Sequence, residues 1–221
     1  MSRCSFVVTL FVCATASMTE AFVVAEELKP TLGTKEKLLF EESFDGAELS
    51  KKWTHTVGVL RLDRGAMLAS EQASDKHACA FRHVLPVQNC AVQVDFQLEA
   101  GAKFLHFGYD PVAGELKKKG HLFSVAVTPT GWSLIEHGDK NDAKPKNKIH
   151  AAQTTTFEPD KWYTLLVECH GDNVVAQIAG KEPLKGTSPD FHVKKPGLVF
   201  RVGGPDGKAV RFDNVKVWEL K

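Results

Sequence analysis

The chain has 221 residues, with 28 Lys and Arg against 27 Asp and Glu, so its formal net charge at pH 7 is +1. That balance creates no global field to recruit nucleic acid or a membrane surface, and the length suits one large core better than two domains. Beyond the first segment lie Cys79, Cys90 and Cys169. They have no C-x-x-C spacing for structural zinc, and in an oxidising compartment they allow at most one internal disulfide, whose pairing stays open.

Residues 1–25 read as a secretory signal peptide, with Arg3 in a short n-region, an apolar run from Phe6 to Cys13, and then Ala14 and Ala16. The run is shorter than the ~20 apolar residues that cross a bilayer, and no later segment approaches that length, so no membrane span is expected. Cleavage after Ala21 or Ala25 is favoured. Residues 26–36 then form a short linker and residues 37–221 the folded domain. A protein so addressed is secreted, periplasmic or held at the cell surface.

From Leu38 onward, short runs rich in Val, Phe, Leu and Trp alternate with Gly, Pro, Asn and Asp, the pattern of antiparallel sandwiches. Strands are predicted over 38–44, 78–84, 91–99, 103–109, 121–128, 132–137, 162–170, 174–178, 197–202 and 210–220. The clearest is 91–99, where Val92, Val94, Phe96 and Leu98 alternate with Gln93, Asp95, Gln97 and Glu99. Pro129-Thr130-Gly131 and Gly171-Asp172-Asn173 supply hairpin turns. Residues 138–150, rich in Lys, Asn and Asp, read as a long solvated loop. The fold class is all-β, a two-sheet antiparallel sandwich.

Two end segments, F-E-E-S-F-D-G from Phe40 and F-D-N-V-K-V-W-E-L from Phe212, resemble the paired terminal strands of concanavalin A-like lectin and glucanase domains. The run D-K-W-Y-T-L-L-V-E-C from Asp160, with G-D-N-V-V-A-Q-I-A-G and K-P-G-L-V-F-R after it, is similar to the laminin-G-like pattern. The resemblance implies a jelly roll with its two ends side by side, nearest the 3-keto-disaccharide hydrolase-like domains. Gly101 stands where that subgroup carries a glutamate, no Asn-Ser-Gly turn follows, and the E-x-D-x-x-E strand of glucanases is absent. The fold therefore transfers more readily than the activity.

Glycoside cleavage calls for two carboxyl groups about 5–5.5 Å apart for retention or roughly 6.5–9.5 Å for inversion. Asp95 and Glu99 share a strand face, but four residues at about 3.3 Å each set their backbones ~13 Å apart, so a cross-strand partner such as Glu136 is needed. These three are the candidate catalytic residues. His106, His121 and His137 fall on successive predicted strands without H-x-H or H-E-x-x-H spacing. With Gln97 they are candidates to line a saccharide site, and Tyr109 and Trp132 are the candidate stacking platforms. Trp53, Trp162 and Trp218 are expected in the core.

Lys117, Lys118, Lys119, Lys140, Lys144, Lys146 and Lys148 make local basic loops, serving either solubility or an acidic polysaccharide. The resemblance implies structural calcium near the terminal strands, with Glu42 and Asp213 in the matching places. Calcium takes six to eight oxygens, so this pair supplies only part of a shell. Three functions follow: a carbohydrate-binding module acting on or near polysaccharide; a glycoside hydrolase or lyase using Asp95, Glu99 or Glu136 with a histidine; and a structural or adhesive domain at the cell surface.

Overall fold

A computed structural model describes residues 28–205 and 207–221. The signal peptide, its cleavage point and the first linker residues lie outside the described residues. The strands are β1 (Lys35–Glu42), β2 (Trp53–Val57), β3 (Val59–Leu62), β4 (Met67–Ser70), β5 (Cys79–Val87), β6 (Cys90–Leu98), β7 (Phe104–Tyr109) and β8 (Phe123–Thr128). They continue as β9 (Gly131–Glu136), β10 (Lys148–Thr154), β11 (Trp162–His170), β12 (Asn173–Ile178), β13 (Leu184–Thr187), β14 (Lys195–Gly203) and β15 (Ala209–Leu220). Among the described residues no helix is long and apolar enough to cross a membrane.

The strands form two antiparallel sheets packed as a jelly-roll sandwich. The front sheet has seven strands in the order β10-β9-β8-β7-β14-β5-β2; the back sheet has eight, β13-β12-β11-β6-β15-β4-β3 with β1 also on β15. The terminal strands pair as the resemblance implies, from Lys35 opposite Leu220 to Glu42 opposite Val215. β15 is the spine of the back sheet. It holds β6 along one edge, and β4 and then β1 along the other.

Alternation builds the interior. Val92, Val94, Phe96 and Leu98 of β6 face Leu105, Phe107 and Tyr109 of β7 and Phe200 of β14 in one apolar cluster. Phe81 and Phe200 stack with centroids 4.9 Å apart, and Phe212 of the back sheet sets its edge against both, at 5.4 and 5.3 Å. Such pairs contribute about 0.5–1.5 kcal/mol beyond burial alone, and this triple links the two sheets.

Four expectations are corrected. Residues 138–150 are not loop throughout, because β10 begins at Lys148. Residues 28–34 are not a free linker: Thr31 and Leu32 donate backbone N–H groups to the buried Glu168 carboxylate at 2.6 and 2.7 Å, and Gln177 donates to the Lys29 carbonyl at 2.9 Å. Trp53 is in the core, but Trp162 is 43% exposed, because it stands opposite Gln97 on the back sheet's outer face. Trp218 is half-buried under the Lys35 ammonium, 3.8 Å from its ring.

The three thiols are free and buried. Cys90 and Cys169 are directly opposed on β6 and β11, and the Tyr109 hydroxyl lies 3.3 Å from the Cys90 sulfur. Cys79 lies apart on β5, where burial pushes its thiol up to about 11.

Candidate functional site

Strands β5, β14, β7, β8 and β9 present two rows of opposed residues on the front sheet's outer face. One row is Ala80, Arg201, His106, Ala126 and Ser133; the next is Arg82, Val199, Gly108, Ser124 and Ile135. They face outward because the residues between the rows, among them Phe81, Phe200, Phe107, Val125 and Leu134, are in the core. Asp110, His121 and His137 sit just beyond the strand ends. There the Leu122 N–H donates to the Tyr109 carbonyl at 2.8 Å, and the His137 N–H donates to that of Leu122 at 3.1 Å. The close approach of β7 and β8 needs glycine at position 108, where a Cβ would stand 2.0 Å from the Phe123 carbonyl oxygen.

The side chains form a connected network. Arg82 Nη2 donates to Asp110 Oδ2 at 3.1 Å, and His121 Nδ1 donates to Asp110 Oδ1 at 2.6 Å. The His121 and His137 rings meet edge to face at 5.4 Å, and His137 Nε2 lies 2.8 Å from the Ser124 hydroxyl. Burial pushes the Asp110 carboxyl up, but His121 and then Arg82 outweigh it, holding the group below the usual carboxylate range. Burial lowers His137 to about 4, helped by the charges of His121 and Arg201; His106 is lowered to about 4 by burial and the same two neighbours. Both imidazoles are therefore neutral at pH 7. His106 Nδ1 is buried with no hydrogen-bond partner among the described residues.

Beside this network lies a groove of about 220 Å³ lined by Thr56, His77, Arg82, His121, Lys140 and Arg201. Lys140 arrives from the loop read as solvated. The Asp139 carboxylate accepts the Lys119 and Asn141 N–H groups at 2.9 and 2.8 Å, and the Lys140 N–H donates to the Lys119 carbonyl at 3.0 Å. These bonds pin the loop against residues 117–121, and they hold the Asp139 carboxyl below its ordinary range.

Of the residues expected at a site, His106, His121 and His137 are brought together here. Tyr109 and Trp132 are not stacking platforms. They are 1% and 2% exposed, because Tyr109 shares its face with Leu105 and Phe107, and Trp132 shares its face with Leu134.

The three candidate catalytic carboxylates do not converge. Asp95 lies on the back sheet's outer face and accepts from Thr164 and Asn214 at 2.6 and 2.9 Å, which ties down the bulge where Asn214 takes φ 48°. Gln97 donates to the Asp160 carbonyl at 2.6 Å on the same face. Glu99 accepts from the Ala209 N–H and from Arg211 Nε, both at 3.2 Å, while Asp63 takes another guanidinium nitrogen. Glu136 belongs to the front sheet, where His150 Nε2 and Ser188 Oγ hold it at 2.9 and 2.8 Å. Its partners are structural, and it points to the opposite side of β9 from His137.

Glu42 and Asp213 fit calcium poorly. Glu42 accepts from the Phe44 N–H at 3.2 Å and Asp213 from the Asn214 N–H at 2.7 Å. Burial raises the Asp213 carboxyl, and the negative charges of Asp95 and Asp45 add to this against the Asn214 N–H. Among the described residues no group of three or more His, Cys, Asp or Glu side chains is placed to hold a metal ion.

Sequence reasoning missed Arg82, Asp110, Ser124 and Arg201. The signal was present for the arginines: each is a lone charge within an apolar strand, in A-F-R-H-V and in L-V-F-R-V.

No family model matches the chain. No curated protein matches it. Among solved structures it is similar to the carbohydrate-binding module CBM66 from Bacillus subtilis, at TM-score 0.57 and 14% identity over 76% of this chain and 96% of that one. It is similar to SCLam, a non-specific endo-β-1,3(4)-glucanase of family GH16, at TM-score 0.59 and 13% identity over 88% and 95%. A third likeness is to a putative glycosyl hydrolase from Parabacteroides distasonis, at TM-score 0.53 and 14% identity over 77% and 89%. These likenesses establish the jelly-roll fold.

Proposed function

We propose that this is an exported carbohydrate-binding module that acts on or near polysaccharide through the front-sheet groove. The observation that carries the reading is the connected polar network of Arg82, Asp110, His121, His137 and Ser124 at the edge of an otherwise packed sheet face, beside Arg201 and His106. Sugar hydroxyls need fixed donors and acceptors, and this network supplies both. At about 220 Å³ the groove is smaller than the ~300–1,000 Å³ sites of drug-sized ligands, so it suits one unit of a longer chain lying across the open face. The solved structures of this fold named above include both a binding module and hydrolases, which is compatible with either role.

Binding is favoured over cleavage because no carboxylate lines the groove among the described residues, and Asp110, which backs it, has both oxygens engaged by Arg82 and His121. A glycosidase pair of acid and base needs two. One observation favours a second reading, glycoside cleavage of the 3-keto-disaccharide hydrolase-like kind: His121, oriented by Asp110, adjoins the neutral His137, an arrangement suited to proton transfer.

A polysaccharide panel separates the two when calorimetry is run beside an assay for released reducing ends. The module predicts saturable binding without product, weakened in His137→Ala and unchanged in Asp95→Ala. Product formation that disappears in Asp110→Asn would assign the cleavage reading instead. Silence in both assays leaves the adhesive role.

A further inference from the structure

We propose that the ligand of this groove is an acidic saccharide, whose carboxylate or sulfate is received by Arg201 with Lys140 alongside; the inference rests on the saccharide reading above. Three permanent cations line the groove: Arg82, Lys140 and Arg201. Asp110 answers Arg82, at 3.1 Å, and His121, at 2.6 Å. Neither Arg201 nor Lys140 has an ion pair or side-chain hydrogen bond among the described residues. Arg201 is half-buried in the middle of the sheet, between Ala80 and His106. Its charge reaches both neighbouring imidazoles, His106 and His137, which stay neutral beside it and so cannot add to the repulsion.

A partly desolvated guanidinium without a counter-charge is costly to hold. A planar carboxylate or a sulfate matches its fork of donors better than any hydroxyl does. General basicity does not explain the placement, since the whole chain carries a net charge of only +1. Nor do the loop lysines as a group. Lys118 is taken by Asp190 at 2.7 Å, and of the seven only Lys140 lines this groove. Its position is fixed by the Asp139 turn and by Gly120, whose missing Cβ would lie 3.0 Å from the Lys140 side chain.

Matched oligosaccharides test the inference by calorimetry: a neutral galactan fragment, an oligogalacturonate and a sulfated galactan fragment, each at low and high salt. The expected result is that one or both acidic fragments bind more tightly than the neutral one, with affinity falling as salt rises. Arg201→Gln should then weaken acidic binding by about ten- to a hundredfold, with partial retention in Arg201→Lys. Lys146→Gln should leave it unchanged. Thermal unfolding checks that each variant is folded. Which acidic fragment binds separates carboxylate from sulfate recognition. Neutral binding equal to or tighter than acidic binding overturns this inference and leaves the saccharide reading standing. Acidic binding that survives Arg201→Gln but is lost in Lys146→Gln overturns the assignment to the groove. No binding of any fragment by the folded protein overturns both.

Discussion

His83 is wholly buried between the rings of Phe40 and Trp53, at 4.0 and 4.7 Å, and neither of its nitrogens has a partner among the described residues. Burial, with the charge of Lys52, lowers it from 6.5 to about 4. The folded form therefore binds fewer protons than the unfolded chain between those pH values. Its contribution is complete above pH 6.5 and is lost as pH falls through 4, a difference of about 3 kcal/mol. His83→Phe removes the titration and two unsatisfied polar atoms. Its unfolding temperature at pH 7 should be unchanged or higher, and its decline from pH 6.5 to 4 shallower; an identical pH profile would contradict the assignment. At this scale the sequence already held the parity that separates core from site. In L-H-F-G-Y, Tyr109 alternates with Leu105 and Phe107, so it goes inward as they do, while His106 goes outward. Ring chemistry suggested a stacking platform; the pleat decides otherwise.

Legibility among the elements depended on length and alternation. β6 and β15 are long and alternate along most of their length, which makes them readable in spite of the bulge at Asn214. β4 is four residues, all buried on both faces, and shows no alternation to detect. β10 is polar at four of its seven positions and β13 is only four residues long, and both are held by the strands that pair with them. Segment 28–34 carries no strand pattern at all, yet Glu168 accepts two backbone N–H groups and the Thr31 hydroxyl from it, together with Gln177 Nε2. Glu168→Ala leaves those donors unanswered and should cost about 1–3 kcal/mol. Limited proteolysis should then cut near residues 28–34 before the body of the domain; unchanged protection there would show that the apolar contacts of Leu28 suffice. A second outcome follows from the facing of β6 on β11. Directly opposed antiparallel residues have Cα atoms about 4.5–5.5 Å apart, within the 4.4–6.8 Å that a disulfide spans. Refolding with oxidised glutathione should thus join Cys90 to Cys169 and leave Cys79 as the alkylatable thiol. A peptide map that links Cys79 would refute the register.

For the whole molecule, the Phe212 contact with Phe81 and Phe200 ties the back sheet, built on β15, to the front sheet, and leaves two chemically different outer faces. The back face carries Asp95, Gln97 and Glu99, each spent on a neighbouring strand or turn, and the exposed Trp162. The front face carries the histidines, the two arginines and the groove. Which outer face a strand belongs to is a property of sheet order, set by contacts far apart in the chain. Asp95 on β6 and His106 on β7 are close in sequence and sit on opposite sides of the sandwich, which no local pattern encodes. Saccharide binding is proposed for the front face alone. Side-chain NMR of the imidazoles and indoles during titration with a bound oligosaccharide reads both faces at once. Saturable shifts of His106, His121 and His137, with the Trp162 indole and His170 unmoved, are the predicted result; shifts confined to Trp162 and His170 would contradict it.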